Sequence, residues 1–474
     1  MSAKEHITML DYLIMLAYLV ALVGVAWWCT KMQNDAEDYL VSGRKMGFWP
    51  NLATHLGTQV GAGSTVGVAG VGFAVGISGM GYNICMAIAY LIFAVFIIPR
   101  IVKMKQITIG DILHLRFNQT ARVVAGIVIA LSYVAFTSSQ FAASGKILKA
   151  VMGWDLTMSI LIGAALIVAY TYFGGLWAVA YTDLVQWFVM MVGIVLIAFP
   201  MAMAKVGGWS GLQAALPAEH FSFANYGAWN LVGLAVATIL GFLVTQDVYQ
   251  RVWAAKDEKT AKNAMLWAAL LFAVFAFVGS TLGMAAKVLY PTVAKEEALP
   301  TLITVLLPSG LTGLVLIAYL AAIMSTADSC LHAAATSMSV DIWNKGLGKA
   351  VDSQGLMRIA RIVVLGIGVV CMVVAVALPE VFRLMLYAYT FMSAGLAIPV
   401  LAALFWKRAT AVGAVASMFA GGISGILWEK FAKSEIPLEA VGAVVALVVV
   451  VVVSYLTAPP TTNQLDTIYK QGQG

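Results

Sequence analysis

The chain has 474 residues, 62% of them hydrophobic and only 11% charged, with a formal net charge of +6. Soluble proteins carry about a quarter charged residues, so water is excluded as the main solvent and no room is left for a separate soluble domain. The positive charge is spread over short loops with no basic arm, which excludes a dedicated nucleic-acid surface.

Apolar stretches long enough to cross a bilayer recur along the whole chain. They fall near 8–29, 49–73, 81–101, 123–147, 156–173, 180–203, 229–248, 264–286, 310–341, 359–378, 381–405, 412–428 and 439–456. The first ends in Val25-Ala26-Trp27-Trp28, not a small-residue cleavage site, so it reads as a mature helix and not a signal peptide. An odd number of spans puts the termini on opposite sides. The positive-inside rule selects an external N-terminus and a cytoplasmic C-terminus, because most of the 28 Lys and Arg residues, Arg251 among them, then fall in cytoplasmic segments. Four cysteines, Cys29, Cys85, Cys330 and Cys371, lie inside apolar spans with no metal-like spacing.

In the second span Gly67, Gly70 and Gly72 read as close-packing positions. Between Gly57 and Thr65, glycines alternate with hydroxyl and amide side chains. Polar groups inside a bilayer must be satisfied by protein, so this stretch is expected to break the helix, with plain close packing as the alternative. A break exposes carbonyls from one half-helix and N–H groups from the other, suited to a cation and an anion respectively.

At the start of the sixth span, Asp183 follows Gly174-Gly175-Leu176 and Tyr181-Thr182. It reads either as a functional carboxylate or as a charge favoured by a helix N-terminus. The ninth span carries Ser325, Asp328 and Ser329 at i, i+3 and i+4, which places three oxygen-bearing side chains on one helix face. Such hard oxygen donors suit a hard cation. An ionisable residue this deep in a span is a functional candidate by default. His332 lies on the same face and reads more simply as a structural hydrogen-bonder.

Taken in order, Gly174-Gly175-Leu176 with Tyr181-Thr182-Asp183, Gln246-Asp247-Val248-Tyr249-Gln250-Arg251, Met324-Ser325-Thr326 and Phe405-Trp406-Lys407-Arg408 make the chain resemble the sodium:solute symporter family. The resemblance runs from about residue 8 to 457. It implies an all-α membrane protein of about 13 transmembrane helices, with a five-plus-five inverted-repeat, leucine-transporter-like core working by alternating access. The repeats would occupy about 49–204 and 229–406, flanked by helices 8–29, 412–428 and 439–456. Sodium is the implied coupling ion. Its first site would use carbonyls of Gly57, Val60 and Ala322 with hydroxyls of Ser325 and Thr326. A second sodium would use Asp183, Ser325, Asp328 and Ser329.

Solute contacts implied by the same resemblance are Gln59, Ser64, Tyr82, Asn83, Thr137, Gln140, Phe242, Thr245, Tyr387 and Tyr389. The choline branch has tryptophan where this chain has Gln59, and a quaternary ammonium relies on aromatic faces. The charged sugar-binding residues of galactose transporters are also missing, with Asn83 where one has glutamate. A free half-helix N-terminus favours a carboxylate or zwitterion, leaving a choline-like cation or a sugar as alternatives.

The expected function is sodium-coupled import of a small polar solute across a bacterial inner membrane, by a protein that is not an enzyme. Its expected partners are the solute, sodium ions and the lipid bilayer, with no obligate protein partner inferred. Two other classes fit the residues less well. An intramembrane aspartyl protease would place Asp183 and Asp328 in a Gly-x-Gly-Asp setting, which neither has. A channel would favour a symmetric oligomeric pore over one asymmetric polar core.

Overall fold

The computed structural model describes residues 8–295, 297–348, 351–379, 384, 385, 388, 389, 391–432, 434–461 and 465. These residues form helices and connecting turns with no strand. Among the described residues nine helical stretches are long and apolar enough to cross a membrane. Two of them, Gly63–Met104 and Leu156–Val206, run for 42 and 51 residues. At about 1.5 Å per residue each far exceeds a hydrocarbon core of roughly 30 Å. Both contain a glycine at positive φ that interrupts the helix, Gly76 at 76° and Gly175 at 53°, so each is two crossings. Nine stretches thus become eleven, and the shorter apolar helices Ala228–Leu240 and Phe391–Phe405 bring the count among the described residues to thirteen.

The elements that build the interior are α1 (Met9–Cys29), α2 (Ala36–Val41), α3 (Phe48–Gln59), α4 (Val68–Val75), α5 (Gly81–Ile92), α6 (Ile109–Arg116) and α7 (Gln119–Met152). They continue with α8 (Leu156–Met190), α9 (Ala228–Ala235), α10 (Gln246–Ala254), α11 (Glu258–Leu289), α12 (Leu311–Ser337), α13 (Ser353–Ala377), α14 (Ile398–Phe405), α15 (Ala411–Phe431) and α16 (Leu438–Leu456). Helix α12 is buried almost all round, the signature of a central helix. It packs on α7, α8, α1, α3 and α13. Helix α11 closes the other side of the broken helix by packing on α3, α4 and α5. The pair α15–α16 packs together at the periphery and touches the Phe391–Ala397 segment.

The break expected in the second span is present. Helix α3 ends at Gln59, Val60 leaves helical geometry at φ −86° and ψ 57°, and the chain resumes at Gly63. Local side chains satisfy the freed backbone. The Ser64 hydroxyl donates to the Gln59 carbonyl at 2.6 Å, the Thr65 hydroxyl to the Gly61 carbonyl at 2.8 Å, and the Ala62 N–H reaches Gln140 Oε1 at 3.3 Å.

The seventh span departs from expectation. It does not run unbroken over 229–248; the helix stops around Leu243 and Val244 and restarts at Gln246 as α10. Here too side chains take over the carbonyls, Thr245 donating to Phe242 at 2.5 Å and Tyr249 to Leu243 at 3.1 Å. Arg251, assigned from hydropathy to a cytoplasmic loop, therefore sits on α10 inside the protein, 1% exposed. Hydropathy carries the span through to 248 and then reads the polar run after it as a loop, because it scores side chains without their partners.

Candidate functional site

The two helix breaks face each other, and the first contact between them joins side chains. Gln59, the last residue of α3, donates from Nε2 to Asp247 Oδ2 at 3.1 Å. Asp247 opens α10 and also accepts from the Tyr133 hydroxyl of α7. Arg251 lies one turn along α10 on the same face as Asp247. All its donor nitrogens are used. Nε reaches the Thr54 carbonyl and hydroxyl at 3.2 and 3.0 Å, and Nη1 the Asp247 carbonyl and Oδ2 at 2.9 and 3.4 Å. Nη2 reaches Ser329 at 2.6 Å and the Thr58 hydroxyl, and lies 3.8 Å from Asp183 Oδ2.

Asp183 is fully buried. The hydroxyls of Thr54 and Ser325 both donate to it, which rules out the reading of a solvated charge at a helix end. The positive φ of Gly175 redirects α8 so that Asp183 meets α3 and α12. A Cβ at Gly175 would lie 2.8 Å from the Tyr39 carbonyl; only glycine serves there. On α12, Ser329 lies 3.2 Å from Asp328 Oδ1 and 2.7 Å from the Thr58 hydroxyl. Asp328 Oδ2 is buried with no hydrogen-bond partner. The His332 ring bonds the Tyr39 carbonyl at 3.1 Å, the structural role its isolation suggested.

The donor set expected for the first sodium lies along the α3–α12 seam. Gly57 is tucked against α12 and α8 so closely that a Cβ there would lie 2.6 Å from Ser325 Oγ and 3.0 Å from the Asp183 carboxyl. The Thr326 hydroxyl faces the Thr58 and Ala322 carbonyls at 2.8 and 3.1 Å. Val60 is the residue at which α3 unwinds. Carbonyls released by a break, facing hydroxyls on a fully buried helix, can replace the water shell of a small cation.

The solute candidates divide. Gln59 joins Asp247, and Asn83 Nδ2 bonds the Ser64 carbonyl at 3.1 Å while its Oδ1 has no partner. Gln140 holds Ala62 at the break, and the Tyr82 and Tyr389 hydroxyls bond each other across it. Thr137 is buried with its hydroxyl unpartnered. Phe242 instead packs on Tyr90 and Phe93, ring centroids 4.4 and 6.0 Å away, behind the broken helix. Thr245 spends its hydroxyl on its own chain. Tyr387 lies outside the described residues. Sequence reasoning left out Thr54, Thr58, Tyr133, Asp247 and Arg251 as site residues. The usable signal was Asp247 and Arg251 at i and i+4 on one short polar helix.

A profile of the sodium:solute symporter family matches residues 39–421. The chain is 26% identical to a sodium/glucose cotransporter of Vibrio parahaemolyticus, over 98% of this chain and 93% of that one. It is 26% identical to the osmoregulated proline transporter OpuE of Bacillus subtilis over 94% of both chains. It is 28% identical to sodium/myo-inositol cotransporter 2 of Oryctolagus cuniculus, over 88% of this chain and 69% of the relative. Among solved structures, a sodium-coupled sialic acid symporter in an outward-open state superposes with a TM-score of 0.86 at 22% identity, covering 96% of this chain and 99% of that one. The nucleobase-cation-symport-1 transporter Mhp1 superposes with a TM-score of 0.59 at 12% identity, over 91% and 97% of the two chains. The last two likenesses establish the fold.

Proposed function

Because the chain belongs to the sodium:solute symporter family, it is an integral membrane protein that couples solute movement to sodium, and we propose that it imports a small polar solute bearing a carboxylate, of amino-acid-like character. In this reading the first sodium is held by the carbonyls of Gly57, Val60 and Ala322 and the hydroxyls of Ser325 and Thr326. The observation that carries it is the break of α3 at Val60, set against the Ser325 and Thr326 hydroxyls of the buried α12. A second sodium is proposed at Asp183, Ser325, Asp328 and Ser329, supported by the unpartnered Asp328 Oδ2 and the hydrogen bond that joins Ser325 to Asp183. The solute is proposed to lie between the two breaks, near Gln59, Ser64, Asn83, Tyr82 and Tyr389.

The inverted repeats are proposed to span about 49–204 and 229–406. The protein is proposed to sit in a bacterial inner membrane with its N-terminus outside, on the distribution of Lys and Arg. Family and relatives are transporters, and no reaction is assigned to the chain. The test is uptake by proteoliposomes under an inward sodium gradient, with solutes first selected by their thermal stabilisation of the purified protein. Accumulation that collapses when the sodium gradient is dissipated is the expected result. Uptake that is indifferent to sodium would overturn the reading.

A further inference from the structure

Three buried carboxylates, Asp183, Asp247 and Asp328, share one described guanidinium, that of Arg251, and each of these four side chains is at most 1% exposed. Arg251 stands between two zones. On one side are Asp183, Ser329 and, through Ser329, Asp328. On the other is Asp247, which points at the α3 break and accepts from Gln59 and Tyr133. A buried carboxylate with less than a full counter-charge favours a bound cation or a proton. The first zone is the ground already proposed for sodium. The Asp247 zone is not part of that donor set.

Asp247 pairs with Arg251 at 3.4 Å, and its neighbour Tyr133 begins a chain of rings. Tyr133 lies 6.4 Å from Phe136, Phe136 stands edge-on to Tyr389 at 4.8 Å, and Tyr389 meets Tyr82 at 6.4 Å. This chain of rings is anchored at both breaks. A Cβ at Gly241 would lie 3.1 Å from the Tyr389 ring, and one at Gly63 would lie 3.8 Å from the Tyr82 hydroxyl. One turn beyond Tyr133 on the same face of α7, the Thr137 hydroxyl is buried and has no partner. Aromatic faces attract cations through their ring quadrupoles, and a carboxylate beside them adds full charge.

We infer that Asp247, with the Tyr133–Phe136–Tyr389 wall, binds the ammonium group of the solute, so that the transported solute is an amino compound. The inference rests on the symporter reading and makes the ammonium group, rather than the carboxylate, the feature that Asp247 recognises. The Gln59 amide donates to Asp247 Oδ2 at 3.1 Å, and an ammonium would compete with it for that oxygen. Arg251 keeps its other acceptors when the ammonium arrives, because Thr54, Thr58, Ser329 and the Asp247 carbonyl do not depend on that oxygen.

The experiment uses the full-length protein in nanodiscs and follows its thermal stability in sodium. The probes are matched triads: an amino acid, its deaminated acid and its decarboxylated amine, in the proline, alanine and leucine series. Glycine betaine, glucose and myo-inositol complete the set. Amino acids, amines or betaine are expected to stabilise the protein, while deaminated acids and sugars do not. Asp247→Asn is expected to weaken that binding about tenfold or more, as loss of a buried charge partner does, with the shift produced by sodium alone retained. If Asp247→Asn does not accumulate, Phe136→Leu carries the test. It should weaken ammonium-solute binding about threefold to tenfold without altering the sodium shift.

Stabilisation by acids or sugars lacking an ammonium, by none of the ammonium probes, or equally in wild type and the variants would overturn the inference. Loss of the sodium shift in wild type would instead strike the symporter reading, so the two failures are told apart.

Discussion

At the residue scale the chemistry rests on a few oxygens and one guanidinium. Ser325→Ala and Thr326→Ala each remove one hydroxyl from the α3–α12 seam. Each is expected to weaken sodium binding by about 1 to 3 kcal/mol, the range for a lost bond to a charge. Sodium titration of the purified variants by thermal shift checks this, and wild-type sodium affinity in both would misplace the site. Arg251 has a different weight. Replacing it with methionine strips Asp247 and Asp183 of their cation and removes hydrogen bonds to six acceptor atoms. Breaking a buried pair from one side costs about 3–5 kcal/mol, so Arg251→Met should accumulate poorly and melt well below wild type. Arg251→Lys keeps the charge but not the planar fork, and should fall between the two.

At the element scale, function depends on where helices stop. Gly57 lets α3 approach α12 closely enough for its end to meet Ser325. The Gly57→Ala methyl would enter the space 2.6 Å from Ser325 Oγ, tighter than atoms tolerate. Alanine is a good helix residue, so α3 itself should form. The expected outcome is a folded protein whose sodium response is lost or strongly reduced, read by the same titration; an unchanged response would show that the seam can widen. Gly175 is a backbone requirement of another kind. With φ 53° and ψ −157° the backbone lies in a region open essentially to glycine alone, and Tyr39 leaves no space for a side chain. Gly175→Ala is therefore expected to reduce folded yield and thermal stability, with Asp183 displaced from Thr54 and Ser325.

At the scale of the whole molecule the question is how many ions move together. Asp183 and Asp328 approach Ser325 and Ser329 from two helices, and a second sodium there would share Ser325 with the first. Binding of one ion then organises a ligand of the other. Sodium activation of uptake should show a Hill coefficient above one, falling towards one in Asp183→Asn and Asp328→Asn. Hyperbolic activation in wild type would remove the second ion. Each additional charge carried inward gains about 2.3 kcal/mol per 100 mV of membrane potential, so the number of ions sets how steeply the solute can be concentrated.

The membrane class, the thirteen crossings, the break near Gly57 and the oxygen-bearing face of the ninth span are legible in the residues alone. Each of these follows from local chemistry: apolar length against bilayer thickness, glycine beside polar side chains, and the 3.6-residue repeat of a helix. The tertiary structure alone decided the rest. It broke the seventh span at Thr245 and drew Arg251 from an apparent loop into the interior, because hydropathy scores a side chain without knowing its partners. It turned Phe242 onto Tyr90 and Phe93, away from the break, and gathered Tyr82, Tyr133, Phe136 and Tyr389 into one wall. Those pairings join residues up to 307 positions apart, and no local pattern records a contact that only helix packing creates.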